Sequence, residues 1–225
     1  MSEWWTYTIS DFLMYSPRTY YRMLERYNHA IWPGQILTLG LGLVMLALLR
    51  RPSPRQGRIL SGLVALLWGM VGWGFLWRRY ASINWAATYF AWAFALELLL
   101  FVWIGGFRGR LRFRVSRDPP GVLGTVLFVV SLLIYPLFAS LFGRPWQQAD
   151  VFGIEPDPTV VGTLGLLLLA RGHSRWLLLP VPILWSLFSG TMLLAMGSPE
   201  AWAPLVAVLL VLVGSVLPRT AEPAA

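Results

Sequence analysis

Long apolar runs separated by short, arginine-bearing gaps dominate the chain. They occupy residues 30–49, 59–77, 87–106, 121–142, 176–196 and 201–217. About 20 predominantly apolar residues are what an α-helix needs to cross a bilayer, so each run reads as a span. A seventh segment, 158–170, is shorter: as a helix it reaches about 20 Å, against a hydrocarbon core of about 30 Å. The pattern predicts an all-α integral membrane protein, a bundle of about seven transmembrane helices of which 158–170 is short or broken. An N-terminal interfacial segment (1–29), a transmembrane helical domain (30–217) and a C-terminal tail (218–225) follow as its parts, with the TAEPAA end frayed.

Polar periodicity adds three local elements. Ser16-Pro17 reads as an N-cap followed by proline at the first helical position. The next residues place Arg18, Arg22 and Arg26 on one face, with Tyr20, Met23, Leu24 and Tyr27 on the other. An amphipathic helix of this kind lies in the membrane interface, its rings at headgroup level. In the second run, Ser61, Ala65 and Gly69 recur every fourth residue, a small-residue face for close helix packing. After the third run, Arg108, Arg110, Arg112 and Arg114 alternate with Leu111, Phe113 and Val115, which predicts an extended ribbon with one basic face. These four arginines are candidates for contact with anionic lipid or a partner; a plain topology signal is the simpler role.

Composition sharpens the class. Hydrophobic residues make up 57% and charged ones 12%, roughly half the charged share of a soluble domain. The net charge of +8 does not indicate nucleic acid: all eighteen basic residues are Arg, mostly clustered at the ends of apolar runs. The absence of Cys removes disulfides and thiolate chemistry. The acidic, aromatic start MSEWWTYTISDF lacks the basic n-region of a cleavable signal peptide.

Arginine placement also bears on topology. If 158–170 crosses, seven crossings put twelve arginines on one side and six on the other; if it dips and returns, the split is nine and nine. The positive-inside rule prefers seven crossings, N-terminus outside and C-terminus cytoplasmic, in an inner (plasma) membrane.

Candidate chemistry lies at Glu97 and in the leader of the short segment, QADVFGIEPDPT. Glu97 sits at the centre of the third span, where a charged carboxylate costs about 2.5–3.5 kcal/mol on insertion scales. Its expected partners are Gln35, Thr38, Tyr135, Thr159, Thr163 and Ser189, or water. Glu155 and Asp157, with Thr159, stand where a discontinuous helix would begin, as at the ion sites of transporters. Asp157 is expected to cap that helix, with Pro158 at its first position and Glu155 facing water; the alternative is a cation- or proton-binding pair. His29 and His173 fall on opposite faces, Met192 and Met196 are too few for a soft-metal site, and neither a phosphate-binding glycine loop nor a hydrolase motif occurs. No metal or cofactor is expected.

SDFLMYSPRTYYRMLERYNHAIWP, FGIEPDPTVVGTLGLLLLARG and LPVPILWSLFSG together resemble an uncharacterised family of bacterial polytopic membrane proteins, some labelled transporter permeases. The resemblance spans nearly the whole chain and implies the fold and a bacterial inner membrane, but no activity. The family pattern often has Cys where this chain has Asp157, so a thiol role does not carry over. The expected function is non-enzymatic: binding or moving a small solute, cation or proton between the third span and the broken helix. The rival is an accessory or assembly subunit of a larger membrane complex, as a homo-oligomer or with partner subunits; a membrane enzyme using the carboxylates ranks third.

Overall fold

A computed structural model describes residues 13–219; the MSEWWTYTISDF start and the TAEPAA end lie outside the described residues. Among these, eight helices follow one another: α1 (Pro17–Ile31), α2 (Gly34–Leu48), α3 (Pro54–Ser82), α4 (Ala86–Phe107), α5 (Pro119–Leu141), α6 (Pro156–Leu169), α7 (His173–Ala195) and α8 (Pro199–Val216). Five of them (α3, α4, α5, α7 and α8) are long and apolar enough to cross a membrane, and α1 with α2 makes a sixth if that bent pair is one span.

Local signals set most boundaries. Ser16 Oγ accepts from Thr19 N at 3.2 Å and Pro17 takes the first position of α1, as the sequence predicts. Ser53 and Asp118 cap α3 and α5 in the same way, accepting from Gln56 N (3.0 Å) and Gly121 N (2.9 Å). α3 therefore starts before Arg55 and Arg58, which apolar periodicity alone excludes from the span. The predicted first span breaks at Trp32: it precedes Pro33, which pushes it out of the helical region (ψ 133°), and α1 and α2 meet at 83°.

The aromatic face of α1 is turned into the protein rather than lying free at headgroup level. Tyr20 packs edge-on against Tyr80 at 5.8 Å, and Tyr27 against Phe75 at 5.5 Å. Ring partners at the end of α3 cover the surface that the amphipathic pattern assigns to lipid, while Arg18, Arg22 and Arg26 stay exposed.

α6 is the centre of the bundle: all fourteen of its residues are buried. α5 approaches it most closely, through paired glycines. A Cβ on Gly165 would lie 2.7 Å from Gly124 O and 2.8 Å from Phe128 N. The small-residue face of α3 works likewise, since a Cβ on Gly105 of α4 would overlap Ser61.

The two ends of α6 lie at opposite ends of the bundle. Its C-terminus runs into a two-residue strand, β2 (Ala170–Arg171), paired antiparallel with β1 (Arg112–Phe113) in the register Arg112↔Arg171 and Phe113↔Ala170. The predicted basic ribbon is thus a two-residue strand with extended flanks, and its alternation holds as far as Arg114: Leu111 and Phe113 are buried and Arg108, Arg110, Arg112 and Arg114 are exposed, but Val115, expected on the apolar face, is exposed too. It closes the end of α6. Arg114 N donates to Leu169 O at 3.1 Å, and the Arg219 guanidinium reaches Ala170 O (3.0 Å) and Leu168 O (3.2 Å), serving carbonyls a helix end leaves open.

Replacing Gly165 with Ala should lower stability by about 1–3 kcal/mol, because backbone rather than a movable side chain meets the new methyl. Gly40→Ala, with nothing within 4 Å of its Cβ, is the matched control. Thermal unfolding in detergent reads both; equal transitions would contradict the close α5–α6 contact.

Candidate functional site

The chain enters α6 through buried, non-helical backbone at 149–155. Gly153 turns there at φ +81°, pressed against Thr38 and Leu67. Thr159 ties this turn to the helix: its Oγ1 accepts from Gly153 N (2.8 Å) and donates to Glu155 O (2.7 Å). One turn on, Thr163 Oγ1 donates to Thr159 O (2.8 Å) and accepts from Trp68 Nε1 (2.9 Å).

The carboxylates differ from expectation. Glu155, not Asp157, is the N-cap residue, and Pro156 rather than Pro158 takes the first helical position. Glu155 is fully buried instead of facing water; its Oε2 accepts from Val151 N at 2.6 Å, and Oε1 has no partner among the described residues. Asp157 does not cap. Its Oδ1 accepts from Trp185 Nε1 (2.7 Å) and its Oδ2 from Ser189 Oγ (2.8 Å), both on α7. The local pattern favours a cap, but two donors far along the chain hold the side chain sideways.

Glu97 is completely buried, and neither carboxylate oxygen has a hydrogen-bond partner among the described residues. The expected pairings do not form. Thr38, Thr159, Thr163 and Ser189 bond elsewhere, Gln35 holds Asn28, and the Tyr135 hydroxyl is itself unpartnered. Glu155, Asp157 and Thr159 are therefore brought together at the start of α6, while Glu97 stays outside their hydrogen-bond network. α4 is joined to α6 through its neighbours: Phe94, one turn before Glu97, lies 4.2 Å from the ring of Trp68 on α3 and 5.4 Å from that of Trp185 on α7, and these two indoles donate to Thr163 and Asp157 of α6.

A further charged cluster, unmarked by any sequence motif, braces the same end. Glu200 is buried and accepts from Arg144 and from the Tyr21 hydroxyl (3.1 Å), which also bonds Ser198. The Arg144 guanidinium stacks 4.3 Å from the Tyr21 ring, donates to Gln148 O at 2.9 Å and stands 3.9 Å from Asp150. The only available signal was that Arg144 and Glu200 are lone charges in loops, each beside a proline. Among the described residues no group of three or more His, Cys, Asp or Glu is placed to hold a metal, and both histidines are exposed.

A family model for DUF6064, a family of unknown function, matches residues 18–223. The chain belongs to this family. The DUF6064 match takes in all eight helices except the first residue of α1, with both buried clusters inside it. No curated protein and no solved structure matches the chain.

Arg144→Ala should cost about 3–5 kcal/mol by leaving Glu200 buried without its cation. Adding Glu200→Gln should restore a large part of that loss; a double variant as unstable as the single one would deny the pairing.

Burial pushes the Asp150 carboxyl up to about 7, although the Arg144 guanidinium pulls it down. A carboxyl that keeps its proton longer in the folded chain stabilises fully below its ordinary value of about 4, and that contribution is lost as pH rises towards about 7. The melting temperature should fall across this window, and Asp150→Asn should flatten the fall. An unchanged slope in the variant would assign the titration to another group.

Proposed function

We propose that this protein is a non-enzymatic inner-membrane protein that binds or passes a proton or small cation, with Glu97 as the protonatable centre. The observation that carries this reading is Glu97 itself, wholly enclosed by its own chain with neither oxygen hydrogen-bonded among the described residues. A carboxylate is costly at such depth, and intramembrane carboxylates characteristically mark ion and proton paths. Glu155, with one free buried oxygen, and Thr159 stand at the entrance made by the non-helical leader; Asp157, held by Trp185 and Ser189, fixes α6 against α7. In this reading the chain crosses seven times, N-terminus outside and C-terminus cytoplasmic. α2 and α6 are its two short crossings, and the end carrying Arg112 and Arg171 is cytoplasmic, where Arg108 to Arg114 meet anionic lipid.

The rival reading, an accessory subunit, draws support from the exposed aromatic surface of α3 and α4, where Trp73, Trp92 and Tyr89 point outward. A glutamate left facing lipid until a partner covered it would have favoured that rival. The enclosure of Glu97 within one chain favours the first reading.

Purified protein in liposomes, under an imposed pH gradient or membrane potential, should conduct protons, Na⁺ or K⁺ above the level of empty vesicles. Glu97→Gln should cut that flux at least tenfold while leaving the melting temperature near the parent value. Flux that is absent in the parent, or equal in the variant, ends the proposal. Stoichiometric partner chains recovered from native membrane in mild detergent would move the weight to the accessory reading.

A further inference from the structure

At the end of the bundle that carries α1, a cavity of about 420 Å³ opens between α1 and the end of α3. Four arginines line it: Arg22 and Arg26 from α1, Arg78 and Arg79 from α3. Thr19 and Ser82 supply hydroxyls at its rim, and no acidic side chain lines it. Among the described residues none of the four guanidinium groups makes a salt bridge, in contrast to Arg144 and Arg171, which each face a carboxylate. Arg79 rests 5.9 Å from the Tyr27 ring, which leaves its fork of donors available.

Two arguments turn this patch into a site. Four like charges converging on one concavity repel one another, and an anion placed among them removes that cost. A guanidinium meets phosphate oxygens in bidentate fashion, and several around one cavity make a phosphate cradle. Second, these arginines lie at the end that holds the smaller share of the chain's arginine, where the charge rule for orientation gives no reason to place them. Exposed Trp73 and Trp77, stacked 6.3 Å apart just before Arg78, place the cavity at headgroup level.

We propose that Arg22, Arg26, Arg78 and Arg79 form a binding site for a phosphate group, carried by an anionic lipid headgroup or by free phosphate. The site is separate from Glu97 and α6, and does not depend on any ion flux. Ser82 contributes an acceptor rather than a donor, since its proton is already given to Arg79 O at 2.6 Å; the binding falls to the guanidinium groups.

The test uses the full chain in an uncharged detergent, titrated separately with inorganic phosphate, dihexanoylphosphatidylglycerol and dihexanoylphosphatidylcholine. Binding is followed by native mass spectrometry and by the rise in melting temperature. Saturable binding of phosphate, of the anionic lipid in clear preference to the zwitterionic one, or of both in competition is expected, weakening as salt rises. Saturation by phosphate identifies a free anion as sufficient; saturation by the anionic lipid alone identifies the headgroup. Arg22→Gln with Arg26→Gln should weaken binding at least tenfold, and Arg78→Gln with Arg79→Gln should do the same from the other wall. Arg50→Gln with Arg51→Gln, an equal charge change at the opposite end, should leave it intact. Binding of neither probe, binding that survives both cavity variants, or an equal loss in the Arg50/Arg51 control would each overturn the proposal.

Discussion

Non-helical backbone cannot face hydrocarbon, and the architecture depends on that constraint. Lipid offers no hydrogen bonds, so irregular chain at membrane depth survives only where protein encloses it. The 149–155 leader is non-helical backbone packed inside the protein, and α6 behind it is shorter than a bilayer-crossing helix. Both are enclosed. α5 presses against α6 through the Gly124–Gly165 contact, while α7 grips its first turn through Trp185 and Ser189. Asn28 of α1 donates to Gln147 O (3.0 Å) and Ala149 O (2.9 Å), holding the leader from above. The aromatic face of α1 packs inward as well, Tyr20 on Tyr80 and Tyr27 on Phe75 at the end of α3, so that α1 is held against both α3 and the leader.

The elements readable from sequence were those encoded by neighbours along the chain. Apolar runs marked the long helices, Ser16-Pro17 marked the start of α1, and the alternation from Arg108 to Arg114 foretold which side chains would be buried. Length arithmetic singled out α6 as anomalous. What failed was set by distant partners. Asp157 looked like a cap because Asp before Pro is a local signal; its actual partners stand 28 and 32 residues away. Arg144 and Glu200, 56 residues apart, carry no spacing that links them. The inward turn of α1 depended on Tyr80 and Phe75, which no periodicity within α1 could report.

The β1–β2 contact bears on the orientation of the short helix in a way that arginine counting could not. The counting argument left two models, crossing or re-entry, separated only by the balance of charge. Pairing Phe113 with Ala170 ties the end of α6 to the chain that leaves α4, at the end where α3 begins. The leader of α6 meanwhile contacts α1, which packs on the far end of α3. The two ends of α6 therefore lie at opposite ends of the helical bundle, which supports the crossing arrangement proposed above.

Hydrogen-bond saturation separates the buried carboxylates more sharply than depth does. Asp157 has a donor on each oxygen and thereby acts as a clamp: hydrogen bonds from a buried indole and a hydroxyl fix one helix against another. Glu200 accepts from Arg144 and Tyr21, both on Oε1, while its Oε2 has no partner among the described residues. Glu155 is half-committed, and Glu97 has no partner among the described residues. Structure alone accounts for the first two, because removing either would strand the donors around it. It does not account for Glu97, whose replacement by an apolar residue of similar size would relieve a desolvation cost without orphaning any described neighbour. Of these four carboxyls, Glu97 is the one whose burial no described hydrogen bond offsets, which is why the proposed proton- or cation-binding role is centred on it.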